Sequence, residues 1–104
     1  ENRVPGGDVN PYLAVAGIVA AGLDGVKREL PLEPAYEGNA YGTDAARVPD
    51  SLQRAAELWS ASTWVRDTFG AEVQDHYANM ARVELDAFNR TVTDWERRRN
   101  FERT

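Results

Sequence analysis

Glycine and proline lie almost entirely in the first half of this 104-residue chain. All five prolines and seven of the eight glycines precede Asp50, and neither residue occurs between Ala71 and Thr104. Because both residues interrupt helices, their absence predicts that the second half is helical. Apolar spacing in that half indicates four helices, near 51–60, 63–69, 71–91 and 94–102.

The predicted helix ends in this half coincide with residues that commonly cap helices. Asp50 or Ser51 can begin the first helix and Ser62 the second, whereas Gly70 is typical of a C-terminal stop. Thr93 and Glu96 fit the S/T-x-x-E capping box, so the chain is expected to turn there and begin a final helix. The long helix before this turn carries one broad apolar stripe: Val73, Tyr77, Met80, Ala81, Leu85, Phe88 and Val92.

The first half contains one predicted helix, near 10–29, which is apolar on nearly every face. Asn10 followed by Pro11 is typical of an N-cap and a first helical residue. A helix of this kind is expected to be buried on all sides. Three glycines within it each cost about 1 kcal/mol of helix propensity, so they are expected to allow close approach of another backbone: Gly17, Gly22 and Gly25.

Three observations predict that the chain belongs to a longer protein. A chain of this length has few elements with which to surround a fully apolar helix. The segment 31–49 has no regular apolar period, and a loop longer than about 15 residues usually has a function or covers another surface. The chain also opens Glu1-Asn2-Arg3, without an initiator methionine or a leader.

Composition excludes several classes of function. A net charge of −5 and a pI near 4.8 disfavour binding to nucleic acid or to an anionic membrane. The longest apolar run, Pro11–Leu23, is shorter than the about 20 residues that span a membrane. The absence of cysteine excludes disulfides, thiolate metal ligands and cysteine nucleophiles, and it fits a cytoplasmic protein.

Two titratable residues of the long helix could carry chemistry, but a structural role is favoured for each. His76 is the only histidine, so any imidazole acid–base chemistry or catalytic triad would depend on it. No second histidine or cysteine completes a ligand set around it. Glu84 lies on the inner edge of the apolar stripe, where a carboxylate is either buried against an arginine or placed at the solvated margin of the stripe. A structural ion pair is favoured, with Arg54 or Arg66 as the candidate partner.

The arginines and tryptophans of the chain also favour structural interpretations. Arg97-Arg98-Arg99 resembles a phosphate-binding cluster, but successive helical residues cannot all face one ligand, and cations complement a helix C-terminus. A solvated face or a subunit contact is therefore preferred. Trp59, Trp64 and Trp95 occupy core-like helical positions and are expected to pack rather than to stack on bases.

Glu1 and Arg3 form a different kind of pair. In an extended strand their side chains lie on the same face, about 6.5 Å apart, just before the turn signal Pro5-Gly6-Gly7-Asp8. A carboxylate suits a hard divalent cation, and a guanidinium can hold a carboxylate through two parallel hydrogen bonds. Composition and spacing alone therefore predict a helical fragment of a larger cytoplasmic protein and nothing more specific.

The first 25 residues strongly resemble the glutamine synthetase family. That family ends its catalytic domain with an E-x-R strand, a short Pro/Gly turn, N-P-Y-L and a buried helix that closes in A-G-L-D-G. The same order runs here from Glu1 to Gly25, with N-P-Y-L at 10–13 and A-G-L-D-G at 21–25. Pro31-Leu32-Glu33-Pro34, the loop 38–41 and the end from Phe88 through Glu96 continue the resemblance over essentially the whole chain.

The resemblance implies both a fold and an activity. The chain would be the C-terminal segment of an α+β catalytic domain, with 1–8 as the end of an active-site strand and its turn and 9–104 as a helical region. The whole enzyme would join ammonia or an amine to glutamate through a γ-glutamyl phosphate, using ATP and Mg²⁺ or Mn²⁺. It would be a cytoplasmic homo-oligomer, and this segment alone would be inactive.

The resemblance also implies roles for two residues of this chain. Glu1 matches the glutamate that ligates the metal bridging the ATP phosphates, and Arg3 matches the arginine that holds the γ-carboxylate of the substrate. A metal neutralises phosphate charge in phosphoryl transfer, and a planar guanidinium orients a carboxylate. The remaining ligands and the ATP-binding strands of the family lie upstream of Glu1.

One departure from the family bears on the amine substrate. Classical bacterial members follow E-x-R with F-P-D and two small residues, whereas this chain has Val4-Pro5-Gly6-Gly7-Asp8. Asn2 and the Gly-Gly turn look more like the branch that ligates glutamate to amines such as polyamines. Ammonia and an amine both remain open as acceptors. An alternative is a non-catalytic helical module for interaction or oligomerisation, derived from such a ligase.

Overall fold

The computed structural model describes residues 4–42 and 44–103, and within these residues the chain is α-helical without strands. The five α-helices are α1 (Pro11–Lys27), α2 (Leu52–Ala61), α3 (Thr63–Phe69), α4 (Ala71–Asn89) and α5 (Asp94–Phe101). The mainly α fold is thereby confirmed, and the predicted helix ends lie within two residues of the observed ones. The possible N-terminal strand is not present in 4–8, and residues 1–3 lie outside the described part.

The chain divides into two compact units, Glu1–Val48 and Pro49–Thr104. The first contains α1 and a long loop, and the second contains α2 to α5. The division falls where the glycine-rich and proline-rich half of the sequence ends.

Helix α1 begins as the sequence predicts. The Asn10 side chain accepts hydrogen bonds from the backbone N–H groups of Tyr12 and Leu13, at 3.0 and 3.2 Å, and Pro11 occupies the first turn. These contacts satisfy two of the donors that a helix N-terminus otherwise leaves free.

The prediction that α1 is buried on all sides is not met within the described residues. No residue of the helix is buried, and Tyr12, Leu23 and Val26 are 87%, 65% and 77% exposed. A Cβ built at Gly17, Gly22 or Gly25 would meet nothing within 4 Å, so no backbone approaches these glycines in the described residues. An apolar helix of this kind is stable in water only when other polypeptide covers it.

The segment 31–49 is a loop, as predicted, interrupted by a single 3₁₀ turn at Ala40–Gly42. Asn39 begins this turn: its side chain accepts from the Tyr41 N–H at 3.1 Å, and its carbonyl accepts from the Gly42 N–H at 3.1 Å. The described part of the loop is exposed throughout, with Tyr41 at 92%.

In the second unit, short-range capping determines where the helices start and stop. Ser51 and Ser62 accept from the backbone N–H groups of Arg54 and Val65, at 3.3 and 3.2 Å, and so cap α2 and α3. Gly70 ends α3 with a φ of 86°, a left-handed value that glycine adopts without strain. Of the two residues predicted to cap α2, Ser51 is therefore the one that does.

Helices α2 and α3 both pack against α4 through an aromatic cluster. The Trp59 ring lies 5.9 Å from Phe69 and 6.0 Å from Tyr77, and Trp64 meets Phe69 edge-on at 6.2 Å. Each such pair stabilises the packing by about 0.5–1.5 kcal/mol beyond its buried area. Val65, 7% exposed, is the buried apolar residue beside this cluster.

The most buried side chain described is polar. Gln74 is 3% exposed, and its amide nitrogen donates to the carbonyls of Trp59 and Ser62 at 2.8 and 2.9 Å and to that of Ser60 at 3.3 Å. The Gln74 backbone carbonyl accepts from the Trp59 indole at 2.9 Å. The amide of Gln74 thus gives the Ser60 carbonyl a donor and adds a second donor to the carbonyls of Trp59 and Ser62, which also accept from the backbone N–H groups of Ser62 and Arg66 at 3.3 Å each.

The apolar stripe of α4 is only partly covered. Val73, Tyr77, Ala81 and Leu85 are half-buried, whereas Met80 and Phe88 are 52% and 65% exposed. Val92, predicted as part of the stripe, lies beyond the end of α4 and is 67% exposed. Met80 and Phe88 therefore lie outside the surface of α4 that α2 and α3 cover.

Candidate functional site

The two residues for which a substrate or metal role is predicted, Glu1 and Arg3, lie outside the described residues. The structure describes the turn that joins them to α1. The Val9 N–H donates to the Gly6 carbonyl at 3.3 Å, which confirms the predicted turn. A Cβ at Gly6 would lie 2.8 Å from Asp8 Oδ1, so a larger residue there would displace the Asp8 side chain.

The turn over Gly6–Val9 lies just before α1, and the Asn10 side chain caps the first turn of the helix. The helix begins eight residues after Arg3, with its first turn held by Asn10 and Pro11. Both signals are local, which is why they could be read from the sequence.

His76 lies exposed in the middle of α4. Its ring is 5.5 Å from that of Tyr77 in an edge-on arrangement. Within residues 4–42 and 44–103, no group of three or more histidine, cysteine, aspartate or glutamate residues could hold a metal ion. The described part offers His76 neither a ligand set nor a triad.

The predicted ion pair of Glu84 is wrong. Glu84 is exposed, and both candidate arginines bind other residues. Arg54 pairs with Glu57 at 3.0 Å, and Arg66 donates to the Gln74 side chain at 3.1 Å and lies 3.6 Å from Asp75. Arg66 therefore turns toward the start of α4, because its buried partner lies there.

The arginine run of α5 is dispersed over the helix surface, as its spacing predicts. Arg99 lies over the Trp95 ring, 5.0 Å from its centroid, in a cation–π contact. Arg97 and Arg98 line a shallow exposed depression together with two acids of the same helix, Asp94 and Glu102. Trp95 is 64% exposed, so the expectation that it packs in a core is wrong for the described residues, whereas Trp59 and Trp64 do pack.

A polar groove of about 680 Å³ lies between α2 and α4, and the sequence did not indicate it. Ala56, Ser60 and Ala78 contribute small side chains to its lining, and three carboxylates, those of Glu57, Asp75 and Asp86, also line it. Small residues on facing helices leave such a space, but their pairing becomes visible only once the helices pack.

Each of these three carboxylates lies beside an arginine of the same chain. Asp86 pairs with Arg82 at 3.1 Å, and Glu57 and Asp75 pair with Arg54 and Arg66. The hydrogen bond from Arg54, reinforced by one from Gln53, lowers the pKa of Glu57 below its ordinary value. The three carboxylates of the groove are thus all engaged in ion pairs on the protein surface.

The family of the chain follows from a comparison with known proteins. A family model for the catalytic domain of glutamine synthetase matches residues 1–100. The chain belongs to the glutamine synthetase family. The match includes Glu1 and Arg3 and extends into α5, so it covers nearly every element described above.

Individual relatives of the glutamine synthetase family differ in their named activities. The gamma-glutamylethanolamide synthetase GlnA4 of Streptomyces coelicolor is 64% identical over 99% of this chain. The glutamate–isopropylamine ligase of a Pseudomonas species is 37% identical over 92% of it, and the glutamine synthetase of Thermus thermophilus is 32% identical over 92%. The chain spans 22% of the first two relatives and 23% of the third.

The comparisons support membership of a ligase family, and the helices add one further observation. Among the described residues, none of the helices has the length and apolar character that crossing a bilayer requires.

Proposed function

We propose that this chain is the C-terminal segment of the catalytic domain of an ATP-dependent ligase that joins an amine to the γ-carboxylate of glutamate. The family match over residues 1–100 supports the ligase class. The single observation that carries the choice of an amine is the 64% identity to a relative named gamma-glutamylethanolamide synthetase.

The level of identity favours a small primary amine over ammonia as the acceptor. Relatives named glutamine synthetase are 32–41% identical to this chain. The relative named glutamate–isopropylamine ligase, at 37%, falls in the same range and does not discriminate. The amine proposal therefore rests on the first relative, and the Gly6-Gly7 turn, which departs from the classical bacterial pattern, agrees with it.

The proposed ligation has two steps. An oxygen of the glutamate γ-carboxylate attacks the terminal phosphorus of ATP, and ADP leaves as the γ-glutamyl phosphate forms. The amine nitrogen then attacks the acyl carbon, inorganic phosphate leaves, and the nitrogen loses a proton to give the amide. The enzyme contributes mainly position and charge in such a transfer.

Arg3 is proposed to orient the γ-carboxylate for the first step. Its guanidinium can donate two parallel hydrogen bonds to the two carboxylate oxygens and so direct one of them toward phosphorus. The family match, which includes Arg3, supports this role, and the turn over Gly6–Val9 and the Asn10 cap define the segment between Val4 and α1.

Glu1 is proposed to ligate the divalent cation, which would neutralise the charge of the ATP phosphates. The chemistry of the residue fits, since Mg²⁺ and Mn²⁺ bind carboxylate oxygens. The described residues contain no metal-binding cluster of their own. Glu1 would therefore act together with ligands from the rest of the protein.

The exposure of α1 supports a segment of a larger domain over a free-standing interaction module. A free module would place Tyr12, Val19 and Leu23, which are 87%, 54% and 65% exposed, in water. Apolar exposure on this scale marks a contact surface. We propose that the rest of the catalytic domain covers it.

We further propose a cytoplasmic homo-oligomer. The lack of cysteine fits a reducing compartment such as the cytoplasm. The proposed reaction also needs a compartment that supplies ATP. Phe88, Trp95 and Phe101, which are 65%, 64% and 78% exposed, supply apolar surface near the end of the chain for contacts with another copy.

The decisive experiment measures acceptor preference in the full-length protein. With glutamate, ATP and Mg²⁺ present, ethanolamine, isopropylamine and ammonium are compared at equal free-base concentrations, following phosphate release and the mass of the product. We expect kcat/KM for ethanolamine to exceed that for ammonium at least tenfold, with γ-glutamylethanolamide as the product.

A preference for ammonium would leave the ligase class intact and overturn the amine acceptor. Absence of phosphate release with every acceptor, from a folded full-length protein, would instead favour the non-catalytic module. Omitting glutamate is the control that separates ligation from simple ATP hydrolysis.

A further inference from the structure

We draw no further inference here: the strongest candidate, the polar groove between α2 and α4 lined by Glu57, Asp75 and Asp86, has each of these carboxylates paired with an arginine of the same chain, and nothing in the described residues shows what covers it.

Discussion

Gln74 joins two helices through a single amide group. Its nitrogen serves carbonyls of Trp59, Ser60 and Ser62, and its oxygen accepts from Arg66. Because the side chain is 3% exposed, water cannot replace these bonds if the amide is removed. Gln74 is therefore expected to contribute more to the stability of the second unit than an exposed polar residue would.

Replacing Gln74 by leucine should destabilise the packing of α2 on α4 by about 1–3 kcal/mol, because the nearby carbonyls lose the amide donor and the Arg66 guanidinium loses its acceptor. The measurement is hydrogen–deuterium exchange of peptides spanning 52–69 in the full-length protein, where protection should fall. Gln53→Leu is the matched control, since Gln53 is exposed and its side chain donates to Glu57 of the same helix at 3.2 Å. Equal protection in the two variants would contradict the bridging role.

Arg3→Lys should impair catalysis far more than folding. Lysine keeps the charge but loses the two parallel donors that clamp a carboxylate, and misplacing a reacting group costs on the order of 100-fold in rate. Steady-state kinetics with varied glutamate would measure the loss in kcat/KM, with a thermal melt as the folding check. Arg28→Lys is the control, because Arg28 makes an exposed ion pair with Asp24 at 3.2 Å. A wild-type kcat/KM in Arg3→Lys would remove the proposed role.

Glu1→Gln should change the response to Mg²⁺ instead. An amide oxygen is a neutral and poorer ligand for a hard dication, so the Mg²⁺ concentration needed for half-maximal rate should rise. Glu37→Gln, at an exposed loop position, controls for the loss of one charge. An unchanged Mg²⁺ requirement in Glu1→Gln would refute metal ligation by this residue while leaving the family membership untouched.

At the scale of elements, α5 is the clearest case of a helix whose start is locally encoded. Thr93 and Glu96 form the reciprocal capping box: the Thr93 hydroxyl oxygen accepts from the Glu96 N–H at 3.2 Å, and the Glu96 carboxylate accepts from the Thr93 N–H at 2.8 Å. The Thr93 hydroxyl also lies 2.9 Å from that carboxylate. These contacts, the backbone one foremost, lower the pKa of Glu96 below its ordinary value.

The lowered pKa of Glu96 predicts how the α5 cap depends on pH. A depressed folded pKa means that the ionised carboxylate is preferred in the folded cap, so its stabilising contribution is complete above the ordinary glutamate pKa. That contribution is lost as the pH falls through the folded pKa. Acidification should therefore loosen the start of α5.

Thr93→Ala should weaken this cap by about 1 kcal/mol and raise the pKa of Glu96 partway toward its ordinary value, since the backbone contact remains. Thr93→Ser keeps the hydroxyl and should preserve both properties. The measurement is a carbon-13 NMR titration of the Glu96 carboxyl group in the 104-residue chain. An unshifted Glu96 pKa in Thr93→Ala would show that the hydroxyl has no part in the cap.

At the scale of the whole molecule, the described helices lack a catalytic centre of their own. The groove between α2 and α4 has its carboxylates paired, and the described residues hold no metal-binding cluster. The two proposed site residues contribute one carboxylate and one guanidinium. Phosphoryl transfer requires more groups than these to position and neutralise ATP.

The 104-residue chain alone should therefore be inactive and should not bind Mg-ATP measurably, because one carboxylate falls far short of the octahedral set of oxygen ligands that magnesium prefers. Isothermal titration calorimetry on the purified chain is the measurement, with the full-length protein as the positive control. Micromolar binding of nucleotide by the chain alone would show that its site does not depend on other parts of the protein.

The sequence by itself determined the helices and their ends. Asn10-Pro11, Ser62, Gly70 and the Thr93–Glu96 box all act within four residues of where they stand, so their hydrogen bonds do not depend on how the helices are arranged. The E-x-R pair and the turn after it are also local patterns, so they could be identified from the sequence. Glu1 and Arg3 lie outside the described residues, and their roles stay predictions.

Only the tertiary structure decided which side chains meet across helices. The sequence placed Glu84 on the edge of the apolar stripe and offered it Arg54 or Arg66, but the packing of α3 on α4 brings Arg66 to Gln74. The stripe likewise predicted burial at Met80 and Phe88, which remain exposed because they lie outside the surface that α2 and α3 cover. Contacts between helices depend on how the helices are placed relative to one another. A periodic sequence pattern shows which face of a helix is apolar, but it does not show which element packs against that face.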